Sequence, residues 1–409
     1  MQIKIINGTI ITPHQVLKNG TILITGNKIT EVSEGNIDAP EAVIIDAGGK
    51  YVSPGFIDIH VHGGGGHDFM DCTEEAFLET AKLHAAFGTT AITPTALSCS
   101  QEELSQLLKV YEQVEQKEHP GAAFIGMHLE GPYFAMEQRG AQDPRYIRNP
   151  DPSEYMPILS EYGHIIKRWS AAPELPGALE FADILKTKNI LAALAHTDAI
   201  YEEVLAGFER GYTHATHLYS GMLGVTRRDA KRYAGAVEAA FLIDEMTVEI
   251  IADGEHLPAA LLQLVYKIKG PDKIALITDA MRGAGMPEGD SILGSKHNGL
   301  KVIIEDGVAK LPDRTAFAGS VATADRLVRN MIHLAGVPLP EAVKMMTSTP
   351  AAIMSITDKK GSLEAGKDAD IIIFDDQINV SLTMIGGKVV YDRTNADSAR
   401  QTAEASIDK

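Results

Sequence analysis

Between residues 55 and 280 the chain repeats one motif eight times. A short apolar run is followed, in most cases, by a stretch of helical period. The runs are GFIDIHVH, TTAITPTAL, AAFIGMHLEGP, IIKRWSAAPE, NILAALAHT, YTHATHLY, MTVEIIADGEH and KIALITDA. Segments such as TEEAFLETAKLHAAFG (73–88) and PAALLQLVYKIKG (258–270) carry the helical pattern between them. Alternating strand and helix predicts a parallel sheet with helical crossovers. Eight strands favour a closed (β/α)8 TIM-like barrel in the α/β class over an open, doubly wound sheet, although periodicity alone leaves closure open.

The two ends of the chain have another texture. MQIKIING, GTIITP, GTILITGNKITEVSE and AVIIDAGGKYVSP fill the first 54 residues with Ile, Val and Thr. Gly26-Asn27 marks a hairpin turn between TILIT and KITEV. Strand character returns in KDADIIIFDD (367–376) and LTMIGGKVVYD (382–392). A small β-sandwich domain built from residues 1–54 and 360–392 is expected around a barrel of residues 55–359. Residues 393–409 are expected to be a polar, fraying tail.

Charge and cysteine content bound the partners. A net charge of −18 disfavours nucleic acid and anionic membrane as partners, yet leaves room for a small anion in a local basic pocket. Cys72 and Cys99 are too few for a disulfide framework and read as free thiols in a reducing, cytoplasmic setting. The N-terminus lacks the pattern of a signal peptide, and no apolar run approaches the ~18–20 residues that span a bilayer.

The residues that carry chemistry fall at strand ends. The first strand ends in His60-Val61-His62, and the period of two along a strand puts both imidazoles on one face. The third ends in His128-Leu129-Glu130-Gly131-Pro132, the fifth in His196, the sixth in His217 and the eighth in Thr278-Asp279-Ala280. In a barrel these ends face one mouth, so His60, His62, Glu130, His196, His217 and Asp279 should converge. His and carboxylate donors suit zinc and other first-row divalent ions. One HxH pair is weak evidence; recurrence over several strands is not. His84, His119, His164 and His333 sit outside the pattern and read as structural, while His214 is ambiguous.

These segments resemble the N-acetylglucosamine-6-phosphate deacetylase family of the amidohydrolase superfamily. The resemblance rests on PGFIDIHVHG (54–63), HLEGP (128–132), AAPE (171–174), LAHTDA (194–199), THLYSGM (216–222), IADGEH (251–256), LITDAMRGAG (276–285) and AFAGSVAT (316–323). The closing KGSLEAGKDADIIIFD (360–375) is similar to the superfamily's returning β domain. The resemblance implies a barrel with a terminal β-sandwich. It also implies metal-dependent hydrolysis of the acetamido group of a 6-phosphorylated amino sugar. Glu130, His196 and His217 would be the main metal ligands. His60 and His62 would hold a second ion, with Glu130 bridging, so one or two ions per subunit are expected: zinc, with iron, manganese or cobalt also suited. Asp279 would move the proton.

Substrate contacts implied by the match are Ala141, Gln142, Ser220, Gly221, Arg228, His256, Phe317, Ala318 and Gly319. Arg228 would meet the phosphate from within VTRRDAKRYAG (225–235), a run read as a largely solvated helix face. A homodimer or higher oligomer is implied, since the family can supply this contact from a neighbouring subunit. Two departures bear on the sugar. Gln142 stands where members commonly have His, and Ser220-Gly221 where they have Asn-Ala. An N-acetylgalactosamine 6-phosphate deacetylase, or a hydrolase of another amide, is the nearest alternative. A non-catalytic barrel is a more distant one.

Overall fold

The structure is a computed structural model and describes residues 1–393. The expected tail therefore lies almost wholly outside the described residues. The eight apolar runs form eight parallel strands: β1 (Phe56–Val61), β2 (Thr89–Ala96), β3 (Met127–Glu130), β4 (Ile166–Ala171), β5 (Leu191–Leu194), β6 (Tyr212–Ala215), β7 (Thr247–Ile250) and β8 (Ile274–Leu276). Each pairs with the next in sequence order. A parallel bridge between Val61 and Ala280 joins the last strand to the first, so the sheet is a nearly closed barrel rather than an open one.

β1 and β2 are buried along their whole length, as strands covered on both faces must be. Helices Glu74–Ala86, Gln101–Glu115, Pro152–Glu161, Ala178–Thr187, Tyr201–Arg210, Ala236–Leu242 and Ala259–Lys269 follow β1 to β7 in turn. The first starts where Thr73 caps it, accepting from the Ala76 N–H.

Both chain ends share one mixed sheet. Its order runs Lys388–Asp392, Val380–Ile385, Ile371–Phe374, Tyr51–Pro54, Gln2–Ile11, Val16–Thr25 and Lys28–Glu34, with Val43–Asp46 alongside Gln2–Ile11. The predicted hairpin is present, with Thr25 opposite Lys28 and Gly26 at φ 63° in the turn. Ile3, Ile5, Ile10, Ile22, Ile24, Val52, Ile371, Ile373 and Met384 form its separate core.

Two insertions lie outside the expected pattern. The basic run is not a helix face: Thr226–Arg228 and Lys231–Tyr233 pair as an antiparallel hairpin. A four-stranded antiparallel sheet (Gly289–Leu293, Leu300–Glu305, Val308–Lys310, Phe317–Ser320) stands between β8 and helix Ala324–His333. Among the described residues, no helix is long and apolar enough to cross a membrane.

Candidate active site at the barrel mouth

His60 stands at the end of β1, His62 one residue beyond it, and Glu130 closes β3. His196, His217 and Asp279 lie just beyond the ends of β5, β6 and β8. The backbone turns sharply at these last three, with φ of 45°, 30° and 48°. This left-handed region costs a non-glycine residue about 1–3 kcal/mol and persists only when its surroundings impose it. Here they do. Asp279 is clamped from both sides, its N–H donating to the His60 carbonyl at 3.0 Å and its carbonyl accepting from Ser320 N at 2.7 Å. The His196 carbonyl accepts from Ala135 N at 2.9 Å, and Leu218 N donates to the Glu249 carbonyl at 2.8 Å.

All six predicted ligand-type side chains converge and are buried. They form two groups of potential metal donors: His60, His62 and Asp279, and Glu130, His196 and His217. Glu130 sits between them. Its Oε1 is 2.9 Å from His217 Nε2 and 3.3 Å from His196 Nε2; its Oε2 is 3.4 Å from His62 Nε2. Asp279 Oδ1 is 3.1 Å from His62 Nε2 and 3.5 Å from His60 Nε2.

The outer ring nitrogens show why these groups fit a metal. His196 Nδ1 lies 2.8 Å from the Gln138 carbonyl and His217 Nδ1 3.1 Å from the Ser220 carbonyl. His62 Nδ1 is 3.3 Å from the Thr95 carbonyl, and His60 Nδ1 is 3.3 Å from Glu249 Oε2. A carbonyl only accepts, so each Nδ1 so placed carries its proton there and leaves the Nε2 lone pair facing the centre. A metal-binding imidazole needs that tautomer.

Electrostatics agree. Burial would raise the Glu130 and Asp279 pKa values, but the histidines around them hold Glu130 well below the carboxylate range and lower Asp279. Burial would likewise lower His60, yet the Glu130 and Asp279 carboxylates push it up to about 9, and His62 moves the same way. The site thus draws positive charge to its centre, and protons and metal ions compete for it.

Beneath the ligands lies a polar floor that the sequence reading missed. Arg168 on β4 and Glu249 on β7 form a fully buried ion pair, joined through both oxygens, with Nη2–Oε2 at 2.9 Å. Glu249 also approaches His214 Nε2 at 3.3 Å, and Arg168 Nη2 donates to Thr216. His214 is therefore part of this floor. His128, beside Glu130, donates to or accepts from Ser170 and Thr95 instead of reaching the centre. Below them, Asp58 is pushed up to about 7 by burial, against hydrogen bonds from Thr278. His84 is structural, as expected, with Nε2 3.0 Å from the Gly63 carbonyl.

Above the ligands is a cavity of about 220 Å³. His62, Glu130, His196, His217 and Asp279 line its floor; Ala141, Gln142, Ser220, Gly221, His256, Phe317 and Gly319 line its walls. Leu97, Gly140, Leu293 and Ala316 complete it, none of them foreseen. Three expected residues do not face it. His60 is shielded beneath His62 at 0 % exposure. Ala318 packs its methyl into a cluster with Met281, Leu293 and Val302. Arg228 stands on the exposed hairpin, and no Lys or Arg lines the cavity among the described residues. His256 Nδ1 is held at 2.7 Å by Asp253 Oδ2, and its ring lies 4.5 Å from that of Phe317.

The fold has known counterparts. Residues 51–390 match the model of the amidohydrolase family. The N-acetylglucosamine-6-phosphate deacetylase of Bacillus subtilis is 32% identical over 95% of this chain and 97% of its own. The N-acetylgalactosamine-6-phosphate deacetylase of Escherichia coli O157:H7 is also 32% identical, over 88% and 93%. Among solved structures, an aspartate-to-alanine mutant of the Mycobacterium smegmatis N-acetyl-D-glucosamine-6-phosphate deacetylase, in complex with N-acetyl-D-glucosamine-6-phosphate, superposes with a TM-score of 0.87. It is 29% identical, covering 95% of this chain and 99% of that one. A nearly closed barrel, ligand-type side chains at the ends of its strands and full-length matches agree: this chain is an enzyme of the amidohydrolase family.

Proposed function

We propose that this chain hydrolyses the acetamido group of N-acetylglucosamine 6-phosphate, giving acetate and glucosamine 6-phosphate. The observation that carries the reading is the set of four imidazoles whose Nε2 atoms face two carboxylates at the floor of one cavity. The donor set suits zinc first, and iron, manganese or cobalt by the same chemistry. Bound there, one or two divalent ions supply Lewis acidity toward water and toward an amide carbonyl.

The side chains do the rest. Asp279 takes a proton from the attacking water at Oδ1. The water oxygen bonds to the acetyl carbon, the C–N bond breaks, and Asp279 returns the proton to the departing amine nitrogen. An amine is a poor leaving group until protonated, so one carboxylate serves as base and then as acid. His256, whose Nδ1 is held by the Asp253 carboxylate, turns its Nε2 edge to the carbonyl oxygen and polarises it. Phe317 and Gly319 bound the sugar, with Ala141, Ser220 and Gly221 opposite. Ala318 contributes through its main chain.

The phosphate needs a cation that the cavity wall does not supply. Arg227, Arg228, Lys231 and Arg232 are exposed on the hairpin, and none forms an ion pair among the described residues. Arg228 binds the phosphate with its planar fork, from this chain or from a second copy in a homodimer. The two thiols suit a reducing compartment, the cytoplasm.

A second reading, N-acetylgalactosamine 6-phosphate as substrate, rests on Gln142 and Ser220-Gly221, which stand where members of the family commonly have His and Asn-Ala and so bear on the choice of sugar. Acetate release from the two epimeric phosphates and from unphosphorylated N-acetylglucosamine, with and without chelator, tests both. Chelator-sensitive turnover of the gluco phosphate is the expected result. Preference for the galacto epimer overturns the sugar assignment, and no release from metal-loaded protein overturns the deacetylase reading.

A further inference from the structure

Gln142 lines the cavity, yet both ends of its amide are committed to protein. Its Oε1 accepts from Ser98 N at 2.9 Å, and its Nε2 donates to Glu130 Oε2 at 2.8 Å. The partners fix which end is which. A backbone N–H can only donate, and an ionised carboxylate can only accept. Gln142 is 5 % exposed, and its backbone N–H is tied to the Arg139 carbonyl at 2.9 Å, so the residue is held at three points, two of them on its side-chain amide.

The consequence falls on Glu130. Its Oε1 lies close to His217 and His196, at 2.9 and 3.3 Å, and farther from His60, at 3.7 Å; its Oε2 faces His62 at 3.4 Å. To serve both ligand groups equally, Glu130 must offer one free oxygen to each. The Gln142 N–H takes one of the two in-plane lone pairs of Oε2 and draws charge from that oxygen. No comparable donor from outside the two ligand groups sits on Oε1 among the described residues.

We propose that Gln142 is a positioning residue that reserves Glu130 for the His196–His217 side, making the two ligand groups unequal in metal affinity. The bridging role that the sequence suggested for Glu130 is thereby weakened in this chain. The inference rests on the metal-hydrolase reading but not on which amide is cleaved.

The test uses full-length protein stripped of metal and titrated with Zn²⁺ against a chromophoric chelator. Wild type, Gln142→Leu and Gln142→Met are compared. The second replacement keeps an unbranched chain of similar volume in case the first unfolds, and circular dichroism checks both. Wild type should show two unequal sites. Losing the amide donor should tighten the weaker site by about tenfold, the lower end of what outer partners of metal ligands are worth, while the stronger site changes little. A purely structural role predicts the opposite, a parallel weakening of both. That result, or two unchanged constants, overturns the proposal. Failure of wild type to bind Zn²⁺ at all overturns the metal reading beneath it.

Discussion

The two ligand groups are held in different ways. His196 and His217 hang from main-chain carbonyls, and Glu130 is braced by Gln142. On the other side, His60 leans on the side chain of Glu249, and His62 has a longer contact, 3.3 Å, to the Thr95 main-chain carbonyl. Asp279 has its backbone clamped, but among the described residues its carboxylate meets only His60 and His62. One group is built to stay still. The other keeps a carboxylate free to exchange partners, as a group that accepts a proton and then returns it must be.

The sharpest way to break this contrast is Asp279→Asn. Turnover should fall by about 10²–10⁴-fold while the Glu130 group keeps its metal. Retention of turnover within tenfold, with metal content unchanged, would remove Asp279 from the chemistry. Next in size is Glu249→Gln. It leaves Arg168 buried beside a neutral partner, and breaking such a pair costs about 3–5 kcal/mol. A large drop in melting temperature is expected, together with weaker metal binding on the His60 side. The double replacement Arg168→Met/Glu249→Leu should recover stability but not the His60-side affinity. Recovery of both would mean that Glu249 does not orient His60.

Outside both groups, Arg228→Ala should raise KM for the phosphorylated sugar by roughly tenfold or more. That is the scale of one charge-assisted fork, and the unphosphorylated sugar should be untouched. An unchanged ratio of the two substrates would move the phosphate contact elsewhere. The smallest effect is in protons. Without metal, His60 titrates near 9, so it carries a proton at neutral pH that a metal must displace. Affinity on its side should fall as pH drops below about 9. His217 is lowered by burial and holds no such proton. Calorimetry in buffers of different ionisation enthalpy should find more protons released on filling the His60 side than the His217 side.

Much of this was legible in the residues. The six ligand-type side chains were found because each ends a strand, and a barrel gathers strand ends. The floor was missed although signals existed. Lys167 and Arg168 look like one exposed basic pair, but alternation along β4 sends Lys167 out and Arg168 in. Glu249 is the one charge in the apolar run MTVEIIA, which in a strand covered on both faces demands a buried partner. The sheet after β8 announces itself at Asp306-Gly307, whose φ values of 54° and 69° make the hairpin turn that this dipeptide favours. The basic hairpin gave no such sign. Asp229-Ala230 takes the same turn at 46° and 66° without a glycine to mark it. Gln142 was visible as a departure from a family pattern, but its bond to Glu130 joins residues that only the folded loop brings together.

The shared terminal sheet sets an order of events during synthesis. Strand Tyr51–Pro54 pairs antiparallel with Ile371–Phe374, over three hundred residues downstream. At roughly 5–20 residues per second, that edge waits on the order of 20–60 s for its partner. The barrel emerges in the meantime, so the first strands made are among the last to be completed. Ile3, Ile5 and Val52 must stay soluble through that interval, before Ile371, Ile373 and Met384 arrive to cover them. For this chain, the risk of aggregation is concentrated in the nascent state, at its N-terminal sheet.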